Sequence, residues 1–130
     1  MSISPSDLLS QAEGLFAAAQ SEAEFRNSIG RAYYAAYHAG LIFHDSLPSK
    51  GRDPPRKTGV HADLAFRLAS PTIPRTDPRF ARSQNIARHL EWLHDKRVKA
   101  DYRLDTHVMK PECVEALRRA RRAFELCTSP

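Results

Sequence analysis

Few residues here could staple a fold or cradle a phosphate. The 130-residue chain has 2 Cys, 5 Gly and 1 Trp. The glycines stand singly, so no glycine-rich phosphate loop exists. The cysteines lack zinc-finger spacing, and there is no GxS-like nucleophile elbow. No apolar run approaches the roughly 18 residues that span a bilayer, which excludes a membrane-spanning class. The segment MSISPSDLL lacks a basic residue followed by an apolar stretch, so no secretory leader is expected. Together with low cysteine usage, this makes the cytoplasm the expected compartment. Alternating apolar and polar runs are missing too, which argues against strands.

What is present fits one globular domain. Hydrophobic residues make up 42% and charged residues 27%, a balance able to bury a core. Lys and Arg number 20 against 15 Asp and Glu, giving a formal charge of +5. That excess suits a polyanion such as nucleic acid, or is simply a solvated basic surface.

The pattern predicts an all-α chain of about five helices. Ser4, Pro5 and Asp7 form an N-terminal capping signature for a first helix carrying Leu8, Ala12, Leu15, Phe16 and Ala19. Ser21 caps a longer second helix to about Phe43. Its inner face is Phe25, Ile29, Ala32, Tyr33, Ala36, Tyr37, Gly40 and Phe43. Pro48, Gly51, Pro54, Pro55 and Gly59 make residues 45–59 a mobile surface loop. A short helix from Val60 to Ala69 follows, then a fourth from Pro78 to Tyr102 and a last one opening near Pro111. Cys113 and Cys127 share a face of that last helix. Fourteen residues separate them, a rise of roughly 20 Å, so they cannot bond to each other. The expected architecture is an up-and-down antiparallel bundle centred on the second and fourth helices.

The fourth helix breaks its own pattern. On a helical wheel, Ile86, Ala87, Leu90 and Leu93 form the core stripe, and Arg97 and Asp101 fall on its centre line. An Arg and an Asp four residues apart can pair, yet placing them where Leu or Ile belongs carries a desolvation cost. Such a breach marks a functional site, a register-fixing ion pair, or a stripe emerging into solvent. In the second helix, Arg31 and His38 share an azimuth opposite Ile29, while Tyr33, Tyr34 and Tyr37 supply hydroxyls. His89 and His94, five apart, lie on different faces and make a poor metal pair; no metal or cofactor is expected.

NSIGRAYYAAYHAGLIF in the second helix and LHDKRVKADYRLD at the end of the fourth resemble the small prokaryotic HEPN-domain proteins. The variant in question has an RAYYAxFHA-like helix and a later RxxxADY segment. The basic loop before VHADLAFRL and the K-P-E start of the last helix fit as well. The likeness covers residues 5–127. It implies a helical bundle that forms a homodimer. Many such proteins are metal-independent RNases of toxin or defence type. Others are noncatalytic, or pair with a small nucleotidyltransferase.

The nuclease hallmark is an Arg, four to six residues, then His. Arg31/His38, Arg56/His61, Arg82/His89 and Arg88/His94 satisfy it formally, although about two matches arise from composition alone. Where the resemblance puts the motif, Arg97 is followed by four residues and then by Tyr102 in place of His. Three expectations result. In the first, an endoribonuclease uses Arg97 as phosphate anchor, Asp101 to orient it, His38 or Tyr102 for proton transfer, and Arg31, Tyr33 and Tyr34 to bind RNA or a nucleotide. In the second, a noncatalytic module uses Arg97, Asp101 and Tyr102 as a ligand clamp or an internal polar network. In the third, a toxin is silenced by a partner that modifies Tyr102.

Overall fold

The computed structural model describes residues 3–130 and contains five α-helices: α1 Pro5–Ala18, α2 Glu22–Asp45, α3 Val60–Ala69, α4 Pro78–Tyr102 and α5 Lys110–Thr128. No strand occurs among the described residues, and none of their helices is long and apolar enough to cross a membrane.

The starts follow local chemistry. The Ser4 hydroxyl accepts from the Asp7 N–H at 3.2 Å while the Asp7 carboxylate accepts from the Ser4 N–H at 2.9 Å. Ser21 caps α2 through the Glu24 N–H, and Asp77 caps α4 ahead of Pro78.

The central helix is α2, which packs against all four others. Its seam of small residues, Ala32, Ala35, Ala36, Ala39 and Gly40, is buried. A Cβ placed on Gly40 would meet Leu90 Cδ1 at 3.1 Å, so α4 lies close there. Ala116, Ala120 and Ala123 give α5 the same close approach. Leu9, Ile29, Tyr33, Leu68, Ile86, Leu93 and Cys113 complete the core. Each large apolar side chain among them contributes about 1.5–3 kcal/mol by leaving water.

Named contacts fix the helix directions. Ala12 meets Ser28 and Phe16 meets Phe25, so α1 and α2 are antiparallel. Gly30 lies by Asp101 and Gly40 by Leu90, so α2 and α4 are antiparallel as well. Trp92 meets Arg119 and Lys99 meets Glu112, giving α4 and α5 the same relation. The short helix α3 opposes α4 but runs in the same sense as α2, with Tyr33 by His61 and Gly40 by Leu68. The connection over residues 46–59 therefore returns along the length of α2.

That connection is tied down despite its prolines and glycines. The Gly51 N–H donates to His44 Nε2 at 3.3 Å, and the Arg52 N–H to the Ser70 carbonyl at 2.9 Å. Arg67 pairs with Asp53. Both cysteines are free thiols; Cys113 is buried, and burial pushes the Cys127 thiol up to about 12. Leu9 and Ala12 are the buried residues of α1, and Leu8 is only partly buried.

Candidate functional site

The polar pair on the inner stripe of α4 is formed. Arg97 Nε donates to Asp101 Oδ2 at 2.9 Å. The Arg97 side chain is only 15% exposed against 37% for Asp101, so the guanidinium is sheltered and the carboxylate reaches the surface. Three aromatic faces enclose the cation, with ring centres 5.9 Å away for Tyr33, 5.4 Å for Tyr34 and 5.9 Å for Tyr102. Its Nη2 also points at the Tyr34 hydroxyl, 3.5 Å away. The ring faces offset part of the desolvation cost of a half-buried charge. A cation placed this way is pre-oriented without being neutralised from every side.

One helical turn before Arg97, α4 presents His94. Its ring stacks on His61 of α3 at 5.8 Å and meets Tyr33 edge-on at 5.5 Å. The Tyr33 hydroxyl and His61 Nδ1 are 2.6 Å apart, and Tyr37 packs on His61 at 4.5 Å. Burial holds His61 below the ordinary histidine range, and His94, Arg97 and His38 push the same way. The Tyr33 hydroxyl is pushed well above its ordinary value, chiefly by burial. A neutral imidazole therefore stands beside a hydroxyl that keeps its proton.

Two depressions flank this cluster. The larger, about 520 Å³, is bounded by α3, α4 and the loop ahead of α3, with Tyr33, His61 and His94 among its lining. The smaller, about 290 Å³, is lined by Asn27, Gly30, Arg31, Tyr34 and Asp101. Arg31 and His38 are both exposed. His38 lies parallel to Tyr34 at 6.2 Å and edge-on to Tyr37 at 5.2 Å, so it joins the cluster within one chain. Tyr102 is 68% exposed at the end of α4.

All seven residues singled out in the sequence, Arg31, Tyr33, Tyr34, His38, Arg97, Asp101 and Tyr102, thus lie on or around one polar seam between α2 and α4. His61 and His94 also belong to this seam, although the sequence offers them only as formal Arg–His matches and does not assign them to the site. A signal for His94 existed: at about 100° per residue it falls near 40° from Leu90, beside the Arg97–Asp101 line. His61 carried only the chance-level Arg56 match, because tertiary packing alone brings the first turn of α3 to Tyr33. Among the described residues, no group of three or more His, Cys, Asp or Glu is arranged to hold a metal ion.

Comparisons with protein-family models, with curated proteins and with solved structures returned no match.

Proposed function

We propose that this chain is a HEPN-like endoribonuclease that cleaves RNA through attack of a ribose 2′-hydroxyl on the adjacent phosphodiester, without a metal. The observation that carries the reading is the sheltered Arg97 guanidinium, fixed by Asp101 and three tyrosine rings, with His94 one turn away and His61 stacked on it. Arg97 grips the phosphate and stabilises the charge developing on its oxygens. His61 acts as the base: with its Nδ1–H donating to the Tyr33 oxygen, Nε2 is free to take the 2′-hydroxyl proton. His94 returns a proton to the departing 5′-oxygen. The products carry a 2′,3′-cyclic phosphate and a 5′-hydroxyl. Tyr34 and Arg31 line the path of the flanking backbone, and His38 extends the polar rim. A homodimer sets two such seams side by side.

A second reading is favoured by one observation. Tyr102 stands where the resemblance calls for His, and its exposed ring caps Arg97. In that reading the seam is a noncatalytic clamp for a nucleotide or for a partner such as a small nucleotidyltransferase.

The deciding experiment incubates the purified chain with end-labelled RNA, with and without EDTA. The nuclease reading expects cleavage in EDTA with cyclic phosphate ends, and a loss of about 10²–10³-fold in Arg97→Ala. Cleavage at the wild-type rate by that variant rules out Arg97 as the anchor. Intact RNA that still binds the chain establishes the clamp.

A further inference from the structure

The cleft beside His61 and His94 has more structure than phosphodiester chemistry requires. Its volume, about 520 Å³, is in the range of small-molecule sites, whereas a phosphate needs far less. Much of its wall is apolar: Ala62, Ala65 and Phe66 from α3, Pro54 and Pro55 from the loop. Phe66 is 37% exposed, a large aromatic left open to solvent at the cleft. The walls are held in place. The Thr58 N–H donates to the buried Asp63 carboxylate at 3.1 Å, and the loop is tied at Gly51 and Arg52. A flat apolar ring fits such a space, and single-stranded bases are commonly bound by stacking on aromatic side chains.

The polar part of the rim adds a second constraint. Glu91 and Asp95 line the cleft from α4, one turn apart and both exposed. Like charges at this spacing repel. Neither forms an ion pair within the described residues, so both carboxylates are open to a donor from outside. A carboxylate is an acceptor with two oxygens. Of the four RNA bases, only guanine offers two adjacent donors, N1–H and N2–H, on its Watson–Crick edge. Adenine and cytosine pair one donor with an acceptor there, and uracil flanks its single donor with two carbonyls.

We propose that this cleft is a guanine subsite, in which Phe66 and the loop prolines bury the ring and the Glu91–Asp95 carboxylates read its donor edge. The subsite rests on the endoribonuclease reading for its purpose: it seats the base of the nucleotide next to the phosphate held by Arg97, so that cutting is selective for guanosine.

The test is designed so that binding and cleavage fail separately. Affinities of the full chain for the four nucleoside 3′-monophosphates are measured by calorimetry, for wild type and for E91Q/D95N. Circular dichroism checks that both are folded; the two side chains are exposed and outside the core. Guanosine 3′-monophosphate is expected to bind about tenfold or more above the others, and the double variant is expected to lose that preference alone. Equal affinities in the wild type, or a preference unchanged in E91Q/D95N, overturn the subsite. Sequencing of RNA cleavage ends supplies the second arm. Cuts spread evenly over all four bases overturn the subsite and leave the nuclease reading standing. Intact RNA together with selective guanosine binding removes the nuclease reading and leaves the subsite standing.

Discussion

The Tyr33 hydroxyl lies 2.6 Å from His61 Nδ1, joining the middle of α2 to the first turn of α3. This bond lies between the core and the candidate site, since Tyr33 is buried and His61 lines the larger cleft. Tyr33→Phe keeps the ring and removes the oxygen. Folding stability is expected to fall by about 1 kcal/mol, the net value of one such bond. Cleavage is expected to fall by less than in His61→Ala, which removes the base and with it about 10²–10⁴-fold. Urea denaturation and a rate assay on the three proteins check both statements. Equal rates in Tyr33→Phe and wild type would show that the hydroxyl does not orient the imidazole.

Acid sensitivity follows from the direction of two histidine shifts. Burial is the first cause for both His61 and His89. Neighbouring basic groups add to it: His94, Arg97 and His38 for the former, Arg119, Arg118 and Arg122 for the latter. Their folded values lie below the ordinary 6.5. Between the two values the unfolded chain binds protons that the folded chain refuses. Stability is therefore flat above about pH 6.5 and declines as pH falls toward the folded values. Below pH 4, Asp77 and Glu115 extend the loss, each held down to about 2 by its arginine, Arg79 and Arg118. Urea midpoints taken across this range check the profile. His61→Gln and His89→Gln are each expected to flatten its upper part, and cleavage is expected to persist into mildly acidic solution before His61 protonates.

Much of this arrangement was legible in the sequence. Gly59, Pro71 and Pro78 bracket α3 and the start of α4 at their observed limits, because such breaks act on the backbone a few residues away. The Arg97–Asp101 anomaly was readable because a charged pair on an apolar stripe violates a local period. The parallel run of α3 beside α2 was not, since nothing local encodes which way a 14-residue connection folds back. His61 entered the site by that route alone. The burial of Ser28 and Ser83 was also hidden. Each hydroxyl donates to a carbonyl of another helix, Ala12 at 2.8 Å and Leu68 at 2.6 Å, and neither partner can be inferred from spacing.

Arg26 couples the far end of the bundle to the site. Its Nη1 donates to the carbonyls of Lys99 at 3.0 Å, Ala100 at 3.0 Å and Arg103 at 3.2 Å, and its Nη2 to Thr106. Lys99 and Ala100 lie in the last turn of α4 and Arg103 is its C-cap, where a cation also meets the negative end of the helix dipole. Arg26→Met retains the aliphatic stem and removes the donors. A loss of about 1.5–3 kcal/mol is expected, the range for bonds involving a charged group. Amide exchange is expected to accelerate over residues 99–103 while the middle of α4 stays protected. Because Asp101 and Tyr102 lie in that turn, the variant is also expected to weaken the hold on Arg97. Uniform exchange along α4 would show that the end of the helix does not depend on this clamp.

Gly51 decides whether the loop can form the wall of the larger cleft. A Cβ built there would lie 1.9 Å from the Arg67 carbonyl oxygen, with that residue's carbonyl carbon at 2.6 Å and Cα at 2.9 Å. All three are backbone atoms inside α3, so no rotamer change relieves the clash. In Gly51→Ala the loop must lift, stretching the Gly51 bond to His44 and the Arg52 bond to Ser70. A cost of about 1–3 kcal/mol is expected for such overpacking, together with faster amide exchange at Arg52. The displaced segment carries Pro54 and Pro55 away from α3, so nucleotide affinity at the cleft falls with it. Gly14 supplies the contrasting case. It lies exposed within α1 with nothing within 4 Å of an added Cβ, so Gly14→Ala is expected to stabilise the chain by about 0.5–1 kcal/mol through helix entropy. Opposite signs for one substitution at two glycines would tie the first effect to close backbone contact. A neutral Gly51→Ala would mean that the loop does not rest on α3 in solution.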